Sequence, residues 1–181
     1  MNLSFSTRGW PDLGWEEMQE LALSMGFTGI EVYNLPKFPA LTGKSGPFHK
    51  YTVSATVRAL REKNLSIPCF DTSCDLSEGE ACVETLLELM EVARNMQVAY
   101  VVACALQDNE ALVRQNLHTL LQVAQMRQVT LLIKTSGIFA DTARLRRLMD
   151  DFACDQLIHT EKNITDIALS SGFQTMRTFN R

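Results

Sequence analysis

The sequence predicts an α/β protein: five consecutive βα units carrying a parallel sheet, followed by a short C-terminal helix-turn-helix. Three observations predict it. Short apolar runs alternate with amphipathic helical patterns over about the first 150 residues. Those runs are apolar on both faces, as strands covered by crossover helices are. After DDFACDQL the pattern breaks into two short helical segments around a glycine.

The elements follow in order. LSFS, residues 3–6, is the first strand, and WEEMQELALSMGF is a helix with Met18, Leu21, Ala22 and Met25 on one stripe and Gly26 as its stop. GIEVYNL at 29–35 is the second strand. The Pro- and Gly-rich PKFPALTGKSGPF has no regular period and reads as a long connection. Val53, Val57 and Leu60 mark the second helix, and IPCFDTS from Ile67 the third strand. Val83, Leu86, Leu87, Met90 and Ala93 form the next stripe, then AYVVACAL the fourth strand. Val113, Leu117, Leu120, Leu121 and Ala124 precede the fifth strand, VTLLIKTSG, and a fifth helix carries Leu145, Leu148, Met149 and Phe152.

Composition narrows the function classes. The chain has 181 residues, 46% hydrophobic and 21% charged, enough to bury a core without metal or disulfide staples. A net charge of -4 opposes a chain-wide basic surface for nucleic acid or membrane. The five cysteines, Cys69, Cys74, Cys82, Cys104 and Cys154, are odd in number and irregularly spaced, and no CxxC occurs. They signal neither a disulfide framework nor a zinc site. The N-terminus MNLSFSTRGWPDLGW has no secretory pattern, and no apolar stretch approaches the roughly 20 residues that span a bilayer. A cytoplasmic location with no membrane partner is expected.

Polar residues cluster where the strands end: Ser6-Thr7-Arg8, Tyr33-Asn34, Asp71-Thr72-Ser73 and Lys134-Thr135-Ser136. A parallel sheet of this kind is either an open doubly wound sheet or part of an eight-stranded barrel. In both, ligands bind at this edge. No GxGxxG follows the first strand, which removes the main pointer to a dinucleotide fold. His49 in a loop and His118 on a helix have no ligand-like neighbours and read as solvent-facing.

The opening LSFSTRGW, the phrase MGFTGIEVYN and the strand LLIKTSG resemble the xylose-isomerase-like barrels, which include sugar-phosphate isomerases, ketose epimerases and endonuclease-IV-type enzymes. The resemblance covers 1–153 and implies an incomplete TIM-type barrel that binds a sugar or sugar phosphate. It also implies a divalent metal at the C-terminal mouth of the intact barrel, held by oxygen and imidazole donors from several strands. Glu31, after "GI" on the second strand, takes the place of a residue that supports that site. The first principal carboxylate of the family comes from phrases resembling "LLIETSG", and the matching position here is Lys134. An ammonium has three donors and no acceptor, so it repels a metal rather than binding it. Five units where a closed barrel needs eight leave open sheet edges, and self-association through them is expected.

The tail, 154–181, carries a second resemblance. Asn163 is a plausible N-cap, Ile164, Ile167 and Ala168 are expected to face inward, and Gly172 allows a turn. Ile164, Ile167-Ala168, Gly172-Phe173, Phe179 and Arg181 fall on the pattern "I..IA...GF.....F.R" and resemble the AraC/XylS transcription regulators. That resemblance implies DNA as a partner. Thr175, Arg177 and Asn180 would meet base edges, and Gln174 and Arg181 the phosphates. From Asp155 onward, Lys162, Arg177 and Arg181 are balanced by Asp155, Glu161 and Asp166, which is weak electrostatics for binding DNA alone. Three readings follow: a regulatory or binding protein joining a sugar-sensing barrel part to a DNA-contacting element, a metal-dependent sugar-phosphate isomerase or epimerase, and a fusion fragment without activity of its own.

Overall fold

The computed structural model describes residues 3–160 and 162–172. Its sheet has five parallel strands: β1 (Ser4–Ser6), β2 (Gly29–Tyr33), β3 (Cys69–Asp75), β4 (Tyr100–Cys104) and β5 (Thr130–Ile133). They lie side by side in chain order, β1-β2-β3-β4-β5. A doubly wound sheet reverses its strand order midway. This sheet does not, so the winding is that of a barrel.

The helices are α1 (Trp15–Ser24), a single turn α2 (Pro39–Thr42), α3 (Val53–Glu62), α4 (Glu80–Met96), α5 (Glu110–Arg127), α6 (Thr142–His159) and α7 (Ile164–Ser170). Among the described residues no helix is long and apolar enough to cross a membrane. Two compact units divide at 134/135. The first holds the whole sheet with α1 to α5, and the second holds α6 and α7. Helix α6 runs without a break across residues 153 and 154, where the sequence reading placed the join between its two segments.

In the first unit, α1, α4 and α5 pack on one face of the sheet. Strand parity explains the core. Ile30, Val32, Phe70, Val101 and Ala103 are fully buried on that face, each large side chain contributing about 1.5–3 kcal/mol. The alternate residues Glu31, Tyr33, Cys69 and Val102 stay partly exposed, and Tyr100 and Leu132 are 44% and 41% exposed. This second face corresponds to the interior of a closed barrel.

Local signals account for most boundaries. The Glu17 carboxylate accepts from the Gly14 N–H at 2.7 Å and starts α1. Left-handed Gln97 and Gln128, at φ 60° and 57°, end α4 and α5. Gly29 lies so close to Ser4 that a Cβ there would displace the Ser4 hydroxyl and crowd its Cβ, so glycine lets β1 and β2 pair closely at this point.

Some expectations are corrected. Met25 is 55% exposed because α1 has already ended at Ser24. On α3 Thr56 is buried where Val57 was expected, its hydroxyl donating to Pro47 O at 2.6 Å. The 36–48 connection is also more ordered than its composition suggested. It contains the turn α2, and Phe48 is buried between Trp15 and Phe70, with ring centroids at 4.9 and 5.8 Å.

In the second unit, Asn163 caps α7 as expected, its Oδ1 accepting from Asp166 N at 2.9 Å. Ile167 and Ala168 are buried against Ala153, with Met149 packed beside them. Ile164, expected to face inward, is 54% exposed: it shares a face with Ile167 and Ala168 but is the first residue of α7, one turn before the part of the helix that is buried. Gly172 has φ +89°, and a Cβ there would stand 3.2 Å from Met149 Cε.

Candidate functional site

One face of β2 and β3, together with the residue after β5, brings together Glu31, Tyr33, Cys69, Asp71 and Lys134, all within the first unit. The parallel register does the assembling. Tyr33 pairs with Asp71, Asp71 with Val102, and Val102 with Leu132, so these four lie in one row on the exposed face. Lys134 lies two residues beyond Leu132, on the same face, and its N–H donates to Ala103 O at 2.9 Å.

The β3 end is bulged. The register shifts between Asp71 and Asp75, and Ser73 has φ +55°. Such a bulge changes where side chains point. The Asp71 Oδ1 accepts from Ser73 N at 3.3 Å, leaving Oδ2 to meet the Lys134 ammonium at 2.7 Å. The Asp71 side chain is only 12% exposed and that of Lys134 31%, so the pair is largely shielded from water.

Tyr33 lies beneath two cations. Arg8 Cζ is 5.1 Å from its ring centroid and Lys134 Nζ 5.7 Å, distances at which a cation is attracted to the ring face. Thr7 Oγ1 accepts from Tyr33 N at 2.9 Å and fastens the end of β1 to this strand. Next to this, the Cys69 thiol donates to Glu31 Oε2 at 3.6 Å. Burial, then the Glu31 charge and this bond, then Asp71, push the Cys69 thiol up to about 12, while Lys134 pulls the other way.

Of the residues singled out from sequence, Glu31 and Lys134 thus belong to one cluster. Gln174, Thr175, Arg177, Asn180 and Arg181 lie outside the described residues. His118 is exposed on α5. His49 is only half-exposed, a correction to the solvent-facing reading, and its ring meets that of Tyr51 at a tilt with centroids 5.0 Å apart. Sequence reasoning did not assign roles to Arg8, Tyr33, Cys69 or Asp71. For Tyr33, Cys69 and Asp71 the signal was parity, since they sit on the same strand face as Glu31, whereas Arg8 lies in the turn after β1.

This geometry defines a polar cluster at the C-terminal edge of a parallel sheet wound in one sense. No protein-family model matches the sequence, and no curated protein matches it. Solved structures do. The probable 3-DHS dehydratase AsbF of Bacillus anthracis superimposes with a TM-score of 0.64 at 15% identity, over 82% of this chain and 58% of that one. A xylose isomerase domain protein from Planctomyces limnophilus gives 0.61 at 10% identity, over 83% and 58%. The IolI protein, solved with a bound zinc atom, gives 0.56 at 15% identity, over 74% and 51%. The fold is therefore that of the xylose isomerase-like TIM barrels, and the chain spans little more than half the length of these neighbours.

The residues present do not fit the divalent metal that such a barrel implies. Two carboxylates, Glu31 and Asp71, reach the mouth, but the more buried one is already paired with an ammonium. Among the described residues no group of three or more His, Cys, Asp or Glu side chains is disposed to hold a metal ion. An added divalent cation would face repulsion from Lys134 on the order of 4 kcal/mol per unit charge at 4 Å near a protein surface.

Proposed function

We propose that this chain is a binding protein. Its mouth takes a sugar or sugar phosphate without catalysing its isomerisation, and its tail begins an AraC-type DNA-contacting element, the two together serving transcription regulation. The observation that carries the reading is the Lys134–Asp71 pair at 2.7 Å, which puts a cation where a metal-dependent isomerase needs a ligand. The mouth keeps what recognition of a polyhydroxy anion requires: an aromatic face in Tyr33, cations in Arg8 and Lys134, and carboxylates that accept from hydroxyls.

The tail reading is supported by α7. Its Asn163 cap, its buried Ile167 and Ala168 and the left-handed Gly172 are what the first helix and turn of a helix-turn-helix require. The reading helix, with Gln174, Thr175, Arg177, Asn180 and Arg181, is part of the proposal.

Thermal unfolding with ketoses and ketose phosphates, with and without Mn2+, tests the first half. Saturable, metal-independent stabilisation without turnover is expected. Metal-dependent turnover would instead establish the alternative reading, a sugar-phosphate isomerase or epimerase, which the shared fold favours. For the tail, a salt-dependent mobility shift with DNA fragments is expected, weakened by Arg177→Ala. Binding unchanged in that variant would remove Arg177 as a reader.

A further inference from the structure

We infer that the Lys134 ammonium is the resident cation of this mouth, paired with Asp71 beside Glu31 in place of a divalent metal ion. The inference rests on the reading of the mouth as a binding site, and it deepens that reading by making the site metal-independent.

Three observations converge on it. First, Asp71 is nearly buried, and a carboxylate at 12% exposure requires a compensating charge. Lys134 supplies that charge from a strand two positions away, its stem passing over the β4 row. Second, Glu31 lies on the same face, bonded by the Cys69 thiol. Cys69 and Asp71 follow on that face of β3, so Glu31 lies beside the Lys134–Asp71 pair, and the Glu31 and Asp71 charges favour the protonated thiol while Lys134 opposes it. Third, the ammonium has three donors and Asp71 takes one of them, while 31% of the lysine side chain remains open to solvent. The ammonium also lies 5.7 Å from the centroid of the Tyr33 ring, which Arg8 approaches at 5.1 Å. A ligand oxygen bearing negative charge, from a phosphate or a carboxylate, could bind there as it would to a metal. The difference is that a lysine brings no open coordination positions and no Lewis acidity for shifting a proton or hydride.

The test is Mn2+ binding followed by the electron paramagnetic resonance signal of the free ion, alongside thermal unfolding. Mn2+ prefers oxygen donors and so largely ignores the cysteines. The native chain should show no saturable Mn2+ site. Lys134→Gln removes the cation and should create one. Lys134→Glu brings three carboxylates together and should bind at least about tenfold tighter than Lys134→Gln, with Mn2+ raising its unfolding temperature. Adding Asp71→Asn to either variant should abolish the gain.

Native binding of Mn2+ that Asp71→Asn removes would overturn the inference, and so would folded Lys134→Gln and Lys134→Glu proteins that bind no better than the native chain. If Lys134→Glu does not fold, the Lys134→Gln comparison decides alone. Failure of the binding reading shows separately, as the absence of stabilisation by any sugar or sugar phosphate in the native chain.

Discussion

Lys134 and Asp71 meet at 2.7 Å although their strands, β5 and β3, are not neighbours: the side chain of one reaches across β4 to the other. Such a pair is sensitive to loss of either member, because the survivor is left as a shielded, uncompensated charge. A fully buried pair loses about 3–5 kcal/mol when one partner is removed. With Lys134 at 31% exposure the expected cost of Lys134→Met is smaller, roughly 1–3 kcal/mol. Lys134→Met combined with Asp71→Leu should recover most of it. Urea unfolding of the two singles and the double checks this; a double mutant as unstable as the sum of its singles would mean the pair is not coupled.

The thiols should separate by pH. The Cys82 thiol donates to Cys74 and, with help from Thr72 and against the effect of burial, lowers Cys74 from the usual 9 to about 7. Burial and the neighbouring Glu31 push Cys69 up to about 12. Thiolate is the reactive form, so alkylation by iodoacetamide should rise through pH 7 at Cys74 and stay slow at Cys69 through pH 9. Cys82→Ala should move the Cys74 profile toward higher pH. Peptide mass spectrometry of the native protein, quenched at a series of pH values, reads both sites. A Cys74 profile centred near 9, or earlier labelling of Cys69, would contradict the assignment.

The tail offers a local test. Gly172 combines φ +89° with a Cβ position 3.2 Å from Met149 Cε, so Gly172→Ala adds strain and a tight contact together. It should destabilise the α6–α7 packing by about 1 kcal/mol or more. Asn163→Ala should cost about 1 kcal/mol through the lost cap. Amide hydrogen exchange in α7 should quicken in both variants while the amides of β3 and β4 stay protected. Equal quickening everywhere would mean that α7 is not a local unit.

The succession of strands and helices was legible in the sequence because period is a local property: apolar runs and helical stripes can be counted residue by residue, whereas the order of the strands in the sheet could not be. The strand-end cluster was legible only as a set of polar residues. Which of them meet depends on register and on the bulge at Ser73, and neither leaves a mark in composition. Lys134 stood out as a residue of the wrong charge for a ligand, yet its partner Asp71 could not be chosen over Glu31 without knowing that β3 bends. Phe48 hid for a similar reason. It lies in a Pro- and Gly-rich stretch with no period, and its burial between Trp15 and Phe70 is a tertiary fact.

Self-association through the sheet is the remaining proposal, and β5 is where to test it. Among the described strands β1 and β5 are each paired on one side only, so both present unpaired backbone donors and acceptors. The exposed face adds apolar surface, with Tyr100 at 44% and Leu132 at 41%. Neither charge nor proline guards the four residues Thr130–Ile133, the devices by which natural edge strands avoid pairing. Sedimentation of the native chain should therefore show a concentration-dependent rise in mass. Leu132→Glu places a charge on the exposed face, and Leu131→Pro removes a backbone donor at the strand. Leu132→Glu should shift the equilibrium toward the monomer while leaving the circular dichroism unchanged, because its side chain is not in the core. The β5 residues that donate to β4 alternate, Thr130 to Ala99 O and Lys134 to Ala103 O, so the Leu131 N–H faces the open edge, and Leu131→Pro should lower association without removing a β4–β5 hydrogen bond. A native chain that stays monomeric at all concentrations would show that something other than a second copy protects this edge.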